Sequence, residues 1–200
     1  MKQFRFVLWA AIALLGGYLA WAILSNTAKE AGLMEVAGRA DIGGPFKAQL
    51  TNGSEITQQD MLGRPHAVFF GFTHCPDVCP ITLAEASGWL QALGDDGDKI
   101  DVYFVTVDPE RDSPELLGQY LTAFDKRIKG ISGTPEQIQE LVKAWRVYVK
   151  KGVDEGDGYN VDHTATTYLM NAKGEFVRTI AYGEDKEVAV RKIRLLLDQK

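Results

Sequence analysis

Cys75 and Cys79 are the only cysteines among the 200 residues. Two sulfurs are too few for a disulfide framework and too close together to staple distant elements. They stand in Cys-Pro-Asp-Val-Cys. On a helix this is an i, i+4 pair, with both sulfurs on one face about one turn apart. The pair can close a disulfide or grip a metal ion, so the spacing points to a redox couple or to two thiolate ligands. The plainer alternative is a minor structural disulfide or two buried thiols. The stretch GFTHCPDVCP, Gly71 to Pro80, lies where an apolar run gives way to a helical pattern. A thiol at a helix N-terminus feels the positive end of the macrodipole, which favours the reactive thiolate. Asp77, between the cysteines, is placed to accept a backbone amide, to meet a partner or to form a simple Asx turn.

The elements that must hold this pair can be read from periodicity. Phe46 to Leu50 and Glu55 to Thr57 flank Thr51-Asn52-Gly53-Ser54, a β-hairpin with Asn-Gly at its turn. Ala67 to Phe72 is a short apolar, aromatic run that reads as a strand buried on both faces. Ile81 to Leu93 has helical spacing, and Asp101 to Val107 is a second buried strand. Ser113-Pro114 and Thr134-Pro135-Glu136-Gln137 open two helices, the second with a capping box. Ala165 to Met170 and Phe176 to Ala181 flank a further hairpin, and Val188 to Leu197 closes the chain as a helix. A βαβ unit followed by a hairpin and a helix is the layout of a thioredoxin-like α/β fold: a central mixed sheet flanked by helices, with an N-terminal β-hairpin.

In that architecture the loop entering the strand near Ala165 faces the cysteine pair. A cis-proline usually occupies it; here the residues are Asp162-His163-Thr164. An imidazole facing two thiolates makes a site of two sulfurs and one nitrogen. Soft thiolates with imidazole suit copper, and Cu(I) is content with three ligands, whereas Cu(II) calls for a fourth. Structural zinc wants four protein ligands and no fourth is found, but an open catalytic zinc site fits the count. The plain reading of His163 is a loop histidine bonded to a neighbouring carbonyl. His74 adjoins Cys75 but points away from it, and His66 reads as a surface or strand-edge residue. Asp108 ends a strand at the mouth of the fold, where sites gather in open α/β sheets, although Asp108-Pro109 also reads as a turn. Trp89 and Trp145 read as core.

Phe6 to Leu24 carries no charge over nineteen residues, enough for about 29 Å of helix. Lys2 and Arg5 precede it, and no basic residue follows until Lys29, which places the N-terminus in the cytoplasm and the rest across the membrane. A cleaved signal peptide is the competing reading, from the small-x-small pattern at Ala20-Trp21-Ala22. The expected organisation is an anchor over residues 1–25, a tether over 26–44 with room for a short strand at Leu33 to Val36, and a domain over 45–200. This is a single-pass arrangement in a bacterial inner membrane with the domain in the periplasm. Beyond residue 25 there are 20 basic and 27 acidic residues, and that acidic balance sets nucleic-acid binding aside.

Three separated strings, GFTHCPDVCP, TVDPERDSPELLGQYL (Thr106 to Leu121) and VDHTATTYLMN (Val161 to Asn171), resemble the Sco/SenC family in order and spacing. These are membrane-tethered, thioredoxin-fold copper proteins of cytochrome c oxidase assembly. The resemblance covers roughly Gly44 to Leu197 and implies that Cys75, Cys79 and His163 hold one copper ion, as Cu(I) or Cu(II). It also implies a role in preparing the dinuclear copper centre of an oxidase subunit, by delivering copper, by reducing that subunit's cysteines, or both. The expected partners are that copper-site subunit and an upstream copper donor or thiol reductant. Two classes of function therefore stand side by side: a copper-binding module, and a thiol–disulfide reductase in which Cys75 and Cys79 form a redox-active disulfide. A Cys75–Cys79 disulfide would bind copper poorly, so redox state gates loading. Peroxidase chemistry is a third option, but no peroxidatic setting surrounds either cysteine. Asp77 and Asp108 are candidates to orient a ligand or touch a partner.

Overall fold

The computed structural model describes residues 15–18, 21, 42–153 and 158–199. The chain divides into two compact units, Met1–Ala40 and Asp41–Lys200. In the first, residues 15–18 and 21 are helical and exposed. The rest of the expected anchor and the expected strand at Leu33 to Val36 lie outside the described residues. Among the described residues no helix is long and apolar enough to cross a membrane.

The second unit is built on a seven-stranded mixed sheet of β1 (Lys47–Leu50), β2 (Glu55–Thr57), β3 (His66–Gly71), β4 (Asp101–Thr106), β5 (Ile128–Ser132), β8 (Thr167–Met170) and β9 (Phe176–Ile180). Their order in the sheet is β2-β1-β5-β4-β3-β8-β9. A separate two-stranded ribbon joins β6 (Val149–Lys151) to β7 (Val161–His163). The helices are α1 (Val78–Leu93), α2 (Pro114–Leu121), α3 (Pro135–Ala144) and α4 (Lys186–Leu197). α1 packs against α4, α2 lies against β5, and α3 lies against β1.

The local chemistry explains most of this. β1 and β2 pair in antiparallel register through Ala48 and Ile56, and Gly53 sits at φ 83° in the turn, a conformation open to glycine without a Cβ clash. Every residue of β3 is buried, so both its faces are covered. β3 runs parallel to β4 and antiparallel to β8. The Ser113 side chain caps α2 ahead of Pro114, and Thr134 and Gln137 form the complete capping box of α3. Trp89 and Trp145 are in the core.

Four expectations need correcting. The sheet has a strand, β5, between α2 and α3, where the sequence reading passed straight from helix to helix. The ribbon β6–β7 was likewise unexpected, and it makes His163 the last residue of a strand rather than part of a free loop. α1 begins at Val78, so Cys79 lies within its first turn. His66 is buried, not at the surface or an edge, because it opens the central strand β3 between β4 and β8.

Candidate metal centre

The sheet register brings the two halves of the site together. β8 is antiparallel to β3, with Phe69 opposite Thr167. The chain leaving β3 toward Cys75 and the chain arriving at β8 from His163 therefore meet at one end of the sheet. The Sγ atoms of Cys75 and Cys79 and a ring nitrogen of His163 all lie within 4.8 Å of one another. Cys79 Sγ is 3.6 Å from His163 Nε2, and the Cys79 backbone N–H donates to Cys75 Sγ at 3.3 Å. Among the described residues, no other group of three histidine, cysteine or acidic side chains is gathered closely enough to hold a metal.

The three donors differ in setting. Both cysteines are free thiols, Cys79 fully buried and Cys75 half-buried. Burial pushes the Cys79 thiol well above the usual cysteine range. Burial thus acts against the thiolate that a helix N-terminus is expected to favour, and a metal binding there must displace a proton. Gly71 makes room for that sulfur. A Cβ at this position would stand 2.7 Å from Cys79 Sγ and 2.6 Å from a ring carbon of Phe104.

His163 Nδ1 lies 3.0 Å from the Thr164 carbonyl oxygen. A carbonyl only accepts, so Nδ1 carries the proton and Nε2 presents its lone pair toward Cys79. Burial lowers the His163 pKa, which keeps the ring neutral and ready to ligate. The ring stands edge-on to Phe72 (centroids 5.8 Å apart) and to Phe69 (6.1 Å). Thr164 anchors the next step of chain: its N–H donates to the Tyr148 carbonyl, and its Oγ1 accepts from the Tyr148 N–H at 3.0 Å.

An open cleft of about 210 Å³ lies over the site, walled by Phe72, Pro76, Asp77, Asn160 and Asp162 among others. Asp77 thus reaches the cleft, although its side chain does not cap α1. Asp108 does not line it: it is buried, accepts from the Tyr159 hydroxyl at 2.7 Å and pairs with Arg111. His74 is turned toward Thr73 and Asp112 and is not among the three gathered donors.

The sequence reading missed Asp112. This fully buried carboxylate accepts from the Thr73 N–H (2.9 Å), the Thr73 hydroxyl (2.6 Å) and the Thr106 hydroxyl (2.7 Å). It ties the loop that carries Cys75 to the end of β4. An acidic residue in a Pro-Glu-Arg-Asp stretch looks like surface turn, and only the register of β3 on β4 reveals what it faces.

The described site can hold a soft metal through two sulfurs and one nitrogen. The SCO1/SenC family model matches residues 34–198. The chain is 36% identical to Protein SCO2, mitochondrial, of Saccharomyces cerevisiae, over 96% of this chain and 68% of that protein. It is 37% identical to Protein SCO1, mitochondrial, of the same yeast, over 84% of this chain and 58% of that one. The solved structure of Bradyrhizobium japonicum ScoI with copper bound is 42% identical, with a TM-score of 0.73 over 78% of this chain and 99% of that one. The match to that structure covers nearly all of it, whereas the chain spans 58 to 68% of the two yeast proteins.

Proposed function

The chain belongs to the SCO1/SenC family, and from that premise we propose that it is a copper metallochaperone supporting assembly of the dinuclear copper centre of cytochrome c oxidase. Copper is its cargo, held by Cys75, Cys79 and His163. The observation that carries this reading is the third donor. His163 is delivered by a different element from the cysteines, with its bare Nε2 turned to a buried sulfur, and a pure dithiol couple has no need of it. Two thiolates and an imidazole match Cu(I) in softness and number. The cleft leaves one side of the site open, which suits transfer by ligand exchange to a partner such as the oxidase copper-site subunit.

A second reading has its own support. Cys75 is the more accessible sulfur and receives the Cys79 N–H, while Cys79 is buried behind it. That arrangement suits attack by Cys75 on a partner's disulfide and resolution by Cys79. The uncharged run over residues 6–24 supports a membrane anchor over 1–25, with residues 45–200 as the copper-binding domain in the periplasm of a bacterium.

The test is copper binding by the reduced full chain beside His163→Ala, measured by competition with a Cu(I) chelator and by Cu(II) absorption. One tight ion in the parent and a loss of more than about 100-fold in the variant are expected, beyond the roughly 10- to 100-fold that loss of a group behind a ligand costs. Equal, weak binding in both chains would leave a redox pair and move the function to the reductase reading.

A further inference from the structure

The arm that carries His163 is not part of the main sheet that carries the cysteines, although Val161 packs into the core. Among the described residues, the ribbon β6–β7 pairs with no other strand. An isolated two-stranded ribbon is marginal in water, so other contacts must hold it in place. Several converge on the segment that follows β4. The Tyr159 hydroxyl donates to Asp108 Oδ1 at 2.7 Å. Lys151 Nζ lies 2.5 Å from Glu110 Oε2 and 3.9 Å from the centre of the Tyr159 ring. Arg111 Nε donates to the other oxygen of Asp108.

Arg111 also reaches in the other direction. Its guanidinium carbon is 3.7 Å from the centre of the Tyr159 ring and 5.7 Å from that of Phe72. Phe72 stands edge-on to the imidazole of His163, with the planes at 87°. One guanidinium therefore lies over a ring two residues ahead of β7 and over the ring against which the imidazole rests. A planar cation between aromatic faces, fixed by a buried carboxylate, is a geometry that lysine does not reproduce.

We propose that Arg111 is a positioning residue for His163, locking the ribbon and Phe72 so that Nε2 stays aimed at Cys79. The proposal rests on His163 being a copper ligand. It predicts that Arg111 acts through the histidine and not through the sulfurs.

The full chain, kept in mild detergent, is compared with Arg111→Met, Arg111→Lys, His163→Ala and the double variant Arg111→Met/His163→Ala. In the parent background Arg111→Met weakens Cu(I) binding about tenfold, and Arg111→Lys recovers only part of that loss. In the His163→Ala background the same change alters affinity by less than about twofold, since the residue through which it acts is gone. Equal losses in both backgrounds overturn the proposal, for then Arg111 supports the fold or the cysteines instead. A copper-free measurement decides the matter independently. Arg111→Met shifts the His163 ring resonances by NMR while the melting temperature of the core changes little; unmoved ring resonances overturn the proposal. If the parent takes up no copper, the chaperone reading fails, while the NMR comparison still decides whether Arg111 positions the ring. Should Arg111→Met not fold, Arg111→Lys supports the same comparison.

Discussion

The cysteine arm and the histidine arm reach the same point by opposite constructions. The cysteines follow β3, a fully buried strand hydrogen-bonded on both sides, and Cys79 lies in the first turn of a sixteen-residue helix. The histidine ends a three-residue strand in a ribbon outside the main sheet, held to the body by the buried Val161 and by side-chain contacts at its exposed edge. One half of the site is fixed by strand pairing within the main sheet, and the other by packing of Val161 and Val149 on the core together with polar and aromatic contacts. The sulfur side is thus tied into the ladder of the main sheet and the nitrogen side is not, a division that would let a protein hold an ion and still release it.

The sharpest way to break that contrast is at Asp112. Asp112→Ala removes a buried carboxylate and strands the three donors it satisfies, so about 3 kcal/mol of stability should be lost along with copper binding. Denaturant unfolding measures the first and chelator competition the second. Gly71→Ala forces a methyl group against Cys79 Sγ and Phe104. Overpacking of this kind should cost about 2 kcal/mol and displace the sulfur, visible as an altered copper absorption spectrum. On the histidine side, Tyr159→Phe removes one hydrogen bond to Asp108 and should cost about 1 kcal/mol. Its signature is local: amides of β6 and β7 exchange faster with solvent, while those of β3 and β4 keep the parent rate. Faster exchange throughout would mean that the ribbon and the core open as one unit.

The smallest effect is in pH. Burial holds His66 below the ordinary histidine value, against the upward pull of the Arg64 carbonyl and Asp101. The unfolded chain therefore takes up a proton before the folded one as pH falls. The contribution of His66 to stability is whole above about pH 6.5 and drains away between that value and the lowered folded one. His163 is shifted the same way. His66→Gln should make the acid-side fall in melting temperature shallower without abolishing it; an unchanged slope would mean that His66 does not contribute.

The cysteine arm was far more legible in the sequence than the histidine arm, for the same structural reason. β3 and β4 announce themselves as apolar runs, and the capping residues of α2 and α3 are chemically distinctive. Two lysines and a valine in β6, or Val161-Asp162-His163 in β7, are too short and too polar to show a period, and β5 is interrupted by Gly130 at its centre. The facing of His163 to the cysteines came from the expected topology alone. The burial of His66 and the partners of Asp112, Arg111 and Tyr159 depend on register between strands distant in sequence, which residue types do not encode locally. The thiolate expectation for Cys79 weighed the helix end, which is visible in sequence, and omitted the desolvation, which is not.

The pairing of β3 with β8 joins residues roughly 100 positions apart. Chains are synthesised from the N-terminus, so both sulfurs exist well before the imidazole does, and before the strand that closes that edge of the sheet. Until then the two thiols stand together on an unfinished structure, free to meet an oxidant or a stray ion. The order of birth along the chain therefore makes the dithiol the older and more vulnerable part of the centre.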